Sequence, residues 1–150
     1  MKLDTVDKIL EFAIAKEEDA ARFYRDLAVK MQLKHMKEVF LGFAREEDGH
    51  KEKLLGVKSG KRLHSAEKTV QDLQIGDHLV DIDLRSDLGY QEALIVAMKA
   101  EKAAFKLYTE LAQATADAGL KQLFLSLAQE EAKHKLRFEI EYDDYVMTEN

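Results

Sequence analysis

The segment Phe40–His50, FLGFAREEDGH, returns later in the chain as Phe124–His134, FLSLAQEEAKH. The offset is constant: 84 residues separate Glu47 from Glu131, His50 from His134 and Glu17 from Glu101. The same step pairs Tyr24 with Tyr108, Leu27 with Leu111, Phe40 with Phe124, Ala44 with Ala128 and Glu46 with Glu130. No gap is needed across two helices and their turn. A match of this length implies a duplicated unit. The physical reading is one helical hairpin present twice, with its copies packed about a pseudo-twofold axis.

Each copy carries Glu-x-x-His, Glu47 with His50 and Glu131 with His134. Residues three apart on a helix share a face, so carboxylate and imidazole point the same way. Both pairs lie on apolar faces. Phe40, Phe43, Ala44 and Leu54 flank Glu47, and Phe124, Leu127, Ala128 and Phe138 flank Glu131. Glu17 and Glu101 are likewise alone among apolar residues, Leu10, Ala13, Ile14 and Tyr24 around one and Leu94, Ala97, Met98 and Tyr108 around the other. A carboxylate buried in such a face is costly unless something compensates its charge. Four Glu and two His from four helices form the donor set of a two-metal carboxylate bundle. Oxygen donors with a few imidazoles suit iron and manganese. Four carboxylates carry a charge that two divalent ions balance. A lone Glu-x-x-His is common on helices, and a lone Glu is usually a surface residue. Six such residues at one offset, all on apolar faces, favour the metal reading.

Other candidates carry less. Tyr24 and Tyr108 lie two turns beyond Glu17 and Glu101 on the same faces. Each hydroxyl is expected either to hydrogen-bond a metal-binding carboxylate or to find some other buried partner. Glu18, Glu46 and Glu130 point about 100° away from their neighbours and are expected in salt bridges at the rim, while the repeat of Glu46 and Glu130 leaves a contact behind a ligand open to those two. His35, His64 and His78 lack a repeat partner and read as surface or loop residues. Gly49 inside a helix costs roughly 1 kcal/mol against alanine, and either relieves crowding or opens access beside the site.

The 150 residues suit one domain, 1–150. Absence of proline and scarcity of glycine favour long helices. Helices are expected over Thr5–Lys30, His35–Gly56, Leu88–Ala114 and Ala118–Tyr145, with a frayed tail Met147–Asn150. Thr5 or Asp4 is expected to cap the first helix, and Ser86 or Asp87 the third. Short breaks inside each hairpin (5–56 and 87–145) make its helices antiparallel. The connection 57–86, with a short helix expected over Thr69–Val80, is long enough to cross the whole bundle. The fold class is therefore all-α, an antiparallel four-helix bundle with one long crossover. A net charge of −6 argues against nucleic acid or an anionic membrane surface as partner. No segment approaches the ~18–20 apolar residues that span a membrane. The absence of cysteine excludes disulfides, iron–sulfur clusters and thiolate sites, and fits a cytoplasmic protein.

The stretches Ala15–Ala28 (AKEEDAARFYRDLA), Ala44–Leu54 (AREEDGHKEKL), Ala97–Ala112 (AMKAEKAAFKLYTELA) and Leu127–Val146 (LAQEEAKHKLRFEIEYDDYV) resemble the ferritin-like superfamily, most closely its rubrerythrin-like branch. The resemblance implies two iron ions bridged by Glu47 and Glu131, with Glu17 and Glu101 as terminal ligands and one histidine, His50 or His134, on each iron. Manganese or a mixed metal pair remains open. Rubrerythrins usually carry a rubredoxin domain with four cysteines. These residues have none, so an external electron donor of rubredoxin type is expected. An additional Glu one turn after the third-helix ligand, usual in that branch, is Ala104 here, with Ala20 as its mate. A redox-driven shift of iron is not expected as a result.

Three functions follow. One is a di-iron oxidoreductase acting on hydrogen peroxide or dioxygen. The second is a ferroxidase that stores or delivers iron, and the third a binding or structural protein stapled by its metal. The resemblance also implies a homodimer.

Overall fold

The computed structural model describes residues 5–59 and 88–149. Four helices make up the fold: α1 (Val6–Lys30), α2 (Lys34–Lys58), α3 (Tyr90–Ala114) and α4 (Ala118–Glu149). Thr5 caps α1, its hydroxyl accepting the Lys8 N–H at 3.2 Å. Asp117 does the same for α4, accepting the Leu120 N–H at 2.8 Å. Each satisfies a backbone donor that has no partner inside the first turn.

Helix directions follow from which side chains meet. Lys58 reaches Glu11, Lys51 reaches Glu18 and Asp48 meets Arg25, so α1 and α2 are antiparallel. Tyr90 meets Glu141 and Tyr108 stacks on Phe124, so α3 and α4 are antiparallel too. Tyr24 of α1 reaches Glu101 of α3 while Tyr108 of α3 reaches Glu17 of α1. That places α1 and α3 antiparallel, and α2 and α3 parallel. The result is a four-helix bundle. Lys58 lies beside the start of α1, whereas Leu88, Gly89 and Tyr90 line a cleft with Lys30–Leu33 at the far end. Of the expected crossover 57–86, residues 57 and 58 belong to α2; the remainder from 60 on, with the helix expected over Thr69–Val80 and the Ser86 or Asp87 cap, lies outside the described residues.

Three boundaries differ from expectation. Helix α2 continues through Gly56 to Lys58, closing where the Ser59 hydroxyl bonds the Gly56 carbonyl at 2.9 Å. Helix α3 begins at Tyr90, with Gly89 in the capping position. The tail does not fray before Glu149, because Tyr142 and Tyr145 pack against the core and the Thr148 hydroxyl bonds the Asp144 carbonyl.

The core divides into two apolar clusters. One holds Ile9, Leu10, Ile14, Leu54, Leu107, Leu111, Phe124 and Ala128. The other holds Tyr24, Phe40, Phe43, Ala44, Tyr90, Leu94, Ala97 and Phe138. On every helix the boundary falls at the same level, between Ile14 and Tyr24, Ala44 and Leu54, Ala97 and Leu107, and Ala128 and Phe138. The six singled-out Glu and His residues occupy that level. The site is a charged layer sealed above and below by hydrocarbon.

Candidate metal centre

Glu17, Glu47, Glu101 and Glu131 are 1–2% exposed, and His50 and His134 are 5% and 1%. All six converge. Glu17, Glu47, His50 and Glu131 present four donor atoms within 4.8 Å of one another, and so do Glu47, Glu101, Glu131 and His134. The two groups share Glu47 and Glu131. This is the arrangement in which two carboxylates lie between two adjacent cation positions.

Both imidazoles turn Nδ1 inward. His50 Nδ1 lies 3.1, 3.2 and 3.0 Å from Glu17, Glu47 and Glu131. His134 Nδ1 lies 3.5, 3.4 and 3.8 Å from Glu47, Glu101 and Glu131. The rings are parallel within 9°, with centroids 5.6 Å apart. Tyr24 donates its hydroxyl to Glu101, and Tyr108 donates to Glu17 at 2.9 Å. Both tyrosines therefore make the carboxylate contact that their spacing allowed. They do so crosswise, each holding the carboxylate of the other hairpin.

The layer suits a pair of hard cations. Glu47 Oε1, Glu101 Oε2, both Glu131 oxygens and His134 Nδ1 are buried without a hydrogen-bond partner among the described residues. Buried polar atoms are normally satisfied, so their collection around one point needs an explanation. Carboxylate oxygen and imidazole nitrogen suit iron or manganese.

Electrostatics agree. Burial, then the Glu101 and Glu17 charges, push the Glu47 carboxyl up to about 8. Burial and the charges of Glu101, Glu47 and Glu17 push Glu131 well up. Burial opposes charge on His50, yet the hydrogen bond to Glu17 and the adjacent Glu47 carboxylate raise it to about 10. His134 also rises against its burial, through Glu101 and Glu47. In each case the folded value exceeds the unfolded one, so the stability contribution is full below the unfolded value and lost as pH rises through the folded one. Glu47 covers the window from 4.5 to about 8, and His50 that from 6.5 to about 10. The melting temperature of chelator-treated protein is therefore expected to fall steadily as pH rises from about 5 to 10. Metal-loaded protein should show the opposite trend up to neutral pH, because metals bind the deprotonated ligands.

The neighbouring residues sort as follows. Glu18 pairs with Lys51 at 3.1 Å and Glu130 with Lys133 at 3.8 Å, both at the rim. Glu46 pairs with Arg137 at 2.8 Å but also lies 3.2 Å from His134 Nε2. That second contact goes beyond a rim salt bridge. Its signal in the sequence was the Glu46–Glu130 repeat. His35 is 73% exposed and pairs with Glu141, as a surface residue should. His64 and His78 fall outside the described residues. Ala20 and Ala104 are partly buried and bring no additional carboxylate.

Gly49 is exposed, and a Cβ there would meet nothing within 4 Å. Relief of crowding is excluded as its role. Gly49→Ala should raise the melting temperature by the equivalent of about 1 kcal/mol, the helix propensity difference. Thermal unfolding checks this, and metal affinity should not change.

A family model described as rubrerythrin matches residues 8–83 and 92–150. Two solved structures are similar along nearly the whole chain. A hypothetical protein from Pyrococcus furiosus is 28% identical, with a TM-score of 0.66, covering 91% of this chain and 87% of its own. A Thermotoga maritima protein described as a ferritin-like diiron-carboxylate protein is 23% identical, with a TM-score of 0.74, covering 94% of this chain and 96% of its own. That second likeness shows the fold. No curated protein matches the chain.

Proposed function

We propose that this chain, which belongs to the rubrerythrin family, is a non-haem di-iron oxidoreductase. It reduces hydrogen peroxide or dioxygen with electrons from an external donor of rubredoxin type. The observation that carries this reading is the pair of overlapping four-donor groups that share Glu47 and Glu131. In this reading Glu47 and Glu131 would be shared by the two metals, Glu17 and Glu101 would each serve one of them, and His50 and His134 would each offer one metal the inward Nδ1. When bound, an Fe(II) pair supplies two electrons, one from each ion, to the oxidant.

The rest of the work belongs to the chain. Tyr24 and Tyr108 fix the terminal carboxylates by hydrogen bonds. The two apolar clusters exclude water, which strengthens every charge interaction in the layer. The donors are held by four helices rather than by loops, so they need little rearrangement to receive cations. No helix among the described residues is long and apolar enough to cross a membrane. A cytoplasmic homodimer completes the proposal.

Anaerobic loading with Fe(II), followed by peroxide or dioxygen and near-UV absorbance, tests it. The expected result is fast oxidation of two irons per chain by peroxide and slower oxidation by dioxygen. Oxidation and release of many more irons per chain would establish iron handling instead. Manganese retained in preference to iron would exclude iron as the resident metal.

A further inference from the structure

The repeat predicts that the two metal positions are equivalent. In the folded chain they are not. His134 Nε2 lies 3.2 Å from Glu46 Oε1, and the other Glu46 oxygen accepts from Arg137 Nη1 at 2.8 Å. The Arg137 guanidinium sits over the Phe43 ring, 4.3 Å from its centre, and that ring meets His134 edge-on at 5.0 Å. Imidazole, carboxylate, guanidinium and phenyl thus form a closed set around His134.

The repeat mates of the outer three residues are Glu130, Lys53 and Leu127. Glu130 turns to Lys133 in its own helix, 3.8 Å away. Lys53 is exposed. Leu127 is aliphatic and offers no face for a cation. Among the described residues, no carboxylate takes at His50 Nε2 the place that Glu46 takes at His134. Arginine in place of lysine is the decisive difference. Its planar fork can hold a carboxylate and stack on an aromatic ring together, and lysine does neither as well.

We infer that Glu46 makes the two metal positions unequal: by holding the outer nitrogen of His134, it directs the first ion to the position formed by Glu47, Glu101, Glu131 and His134. A carboxylate on the outer N–H of a metal-binding imidazole fixes the tautomer and ring orientation and raises the basicity of the inner nitrogen. Nδ1 of His134 then presents its lone pair inward. Arg137 keeps Glu46 in place, its Nη1 donating to the carboxylate oxygen that does not face His134. Glu46 is a positioning residue here, since it acts through His134 and touches no metal position itself. The inference rests on the two-metal reading above.

The test is a stepwise Co(II) titration of the chelator-treated full chain, followed by visible absorption. The native protein should bind in two resolved steps whose affinities differ about 10- to 100-fold. Glu46→Gln keeps the shape but loses the charge. It should weaken only the first step, bringing the two together, while the melting temperature of the metal-free protein stays within a degree or two. Glu130→Gln should leave both steps unchanged. Two equal steps in the native protein overturn the inference and leave the two-metal reading standing. So does a first step indifferent to Glu46→Gln. Absence of saturable binding overturns both.

Discussion

Glu47→Gln should abolish tight binding of the metal pair and, at the same time, stabilise the metal-free protein. Glu47 belongs to both donor groups, so its loss damages both positions. An amide is a weak neutral donor and cannot balance a cation. The expected loss of affinity is on the order of 100-fold or more, beyond that of removing a residue behind the ligands. The gain in stability has a separate cause. With its carboxyl raised from 4.5 to about 8, Glu47 costs up to about 3 kcal/mol at pH 7 in the metal-free fold. Glutamine removes that cost but leaves a buried amide to satisfy, so the net gain should be about 1–2 kcal/mol. Chemical denaturation with chelator present, beside metal titration of the same variant, reads both effects. A variant that lost stability in chelator would show that burying this carboxylate is not costly.

Phe138→Ala should be the most damaging single change away from the charged layer. Phe138 is fully buried and stacks on Phe43 with ring centres 4.0 Å apart, with Phe40 and Tyr24 at 6.0 and 5.6 Å. Deleting a phenyl group from such a site costs about 3–5 kcal/mol. The damage should reach the metal centre, because Phe138 supports Tyr24, which holds Glu101. Leu136→Ala is the control on the same helix: Leu136 is 56% exposed, and its loss should fall within about 0.5 kcal/mol. Urea unfolding of both variants gives the comparison. Equal losses would mean that the second apolar cluster is not tightly packed.

The site was more legible in the sequence than the ends of its helices. Glu17, Glu47, Glu101 and Glu131 stood out because each interrupts an apolar face, and the 84-residue offset tied them into one set. A charged residue on a buried face carries a large energetic penalty, so its reason for being there is strongly constrained. Helix ends are decided by smaller terms. Gly56 looked like a stop, but its backbone is compatible with α2 and its Cβ position is open, so the helix runs on to Lys58. The tail looked polar enough to fray, yet Tyr142 and Tyr145 anchor it on the core.

What symmetry hid was the difference between the hairpins. The repeat aligned Glu46 with Glu130 and implied equal roles. Arg137 and Phe43, facing Lys53 and Leu127 in the alignment, break that equality. Tyr24 and Tyr108 show the converse case. Their faces were legible, but their crosswise reach to the other hairpin depends on packing between α1 and α3, which no spacing along one helix contains.

The most direct test is equilibrium dialysis of chelator-treated protein against Fe(II) under anaerobic conditions, with iron counted per chain. Two irons are expected on the native protein, and none held tightly when Glu47→Gln and Glu131→Gln are combined. A native protein that retains no iron, or a double variant that still holds two, would contradict the assignment of these six side chains as the metal centre.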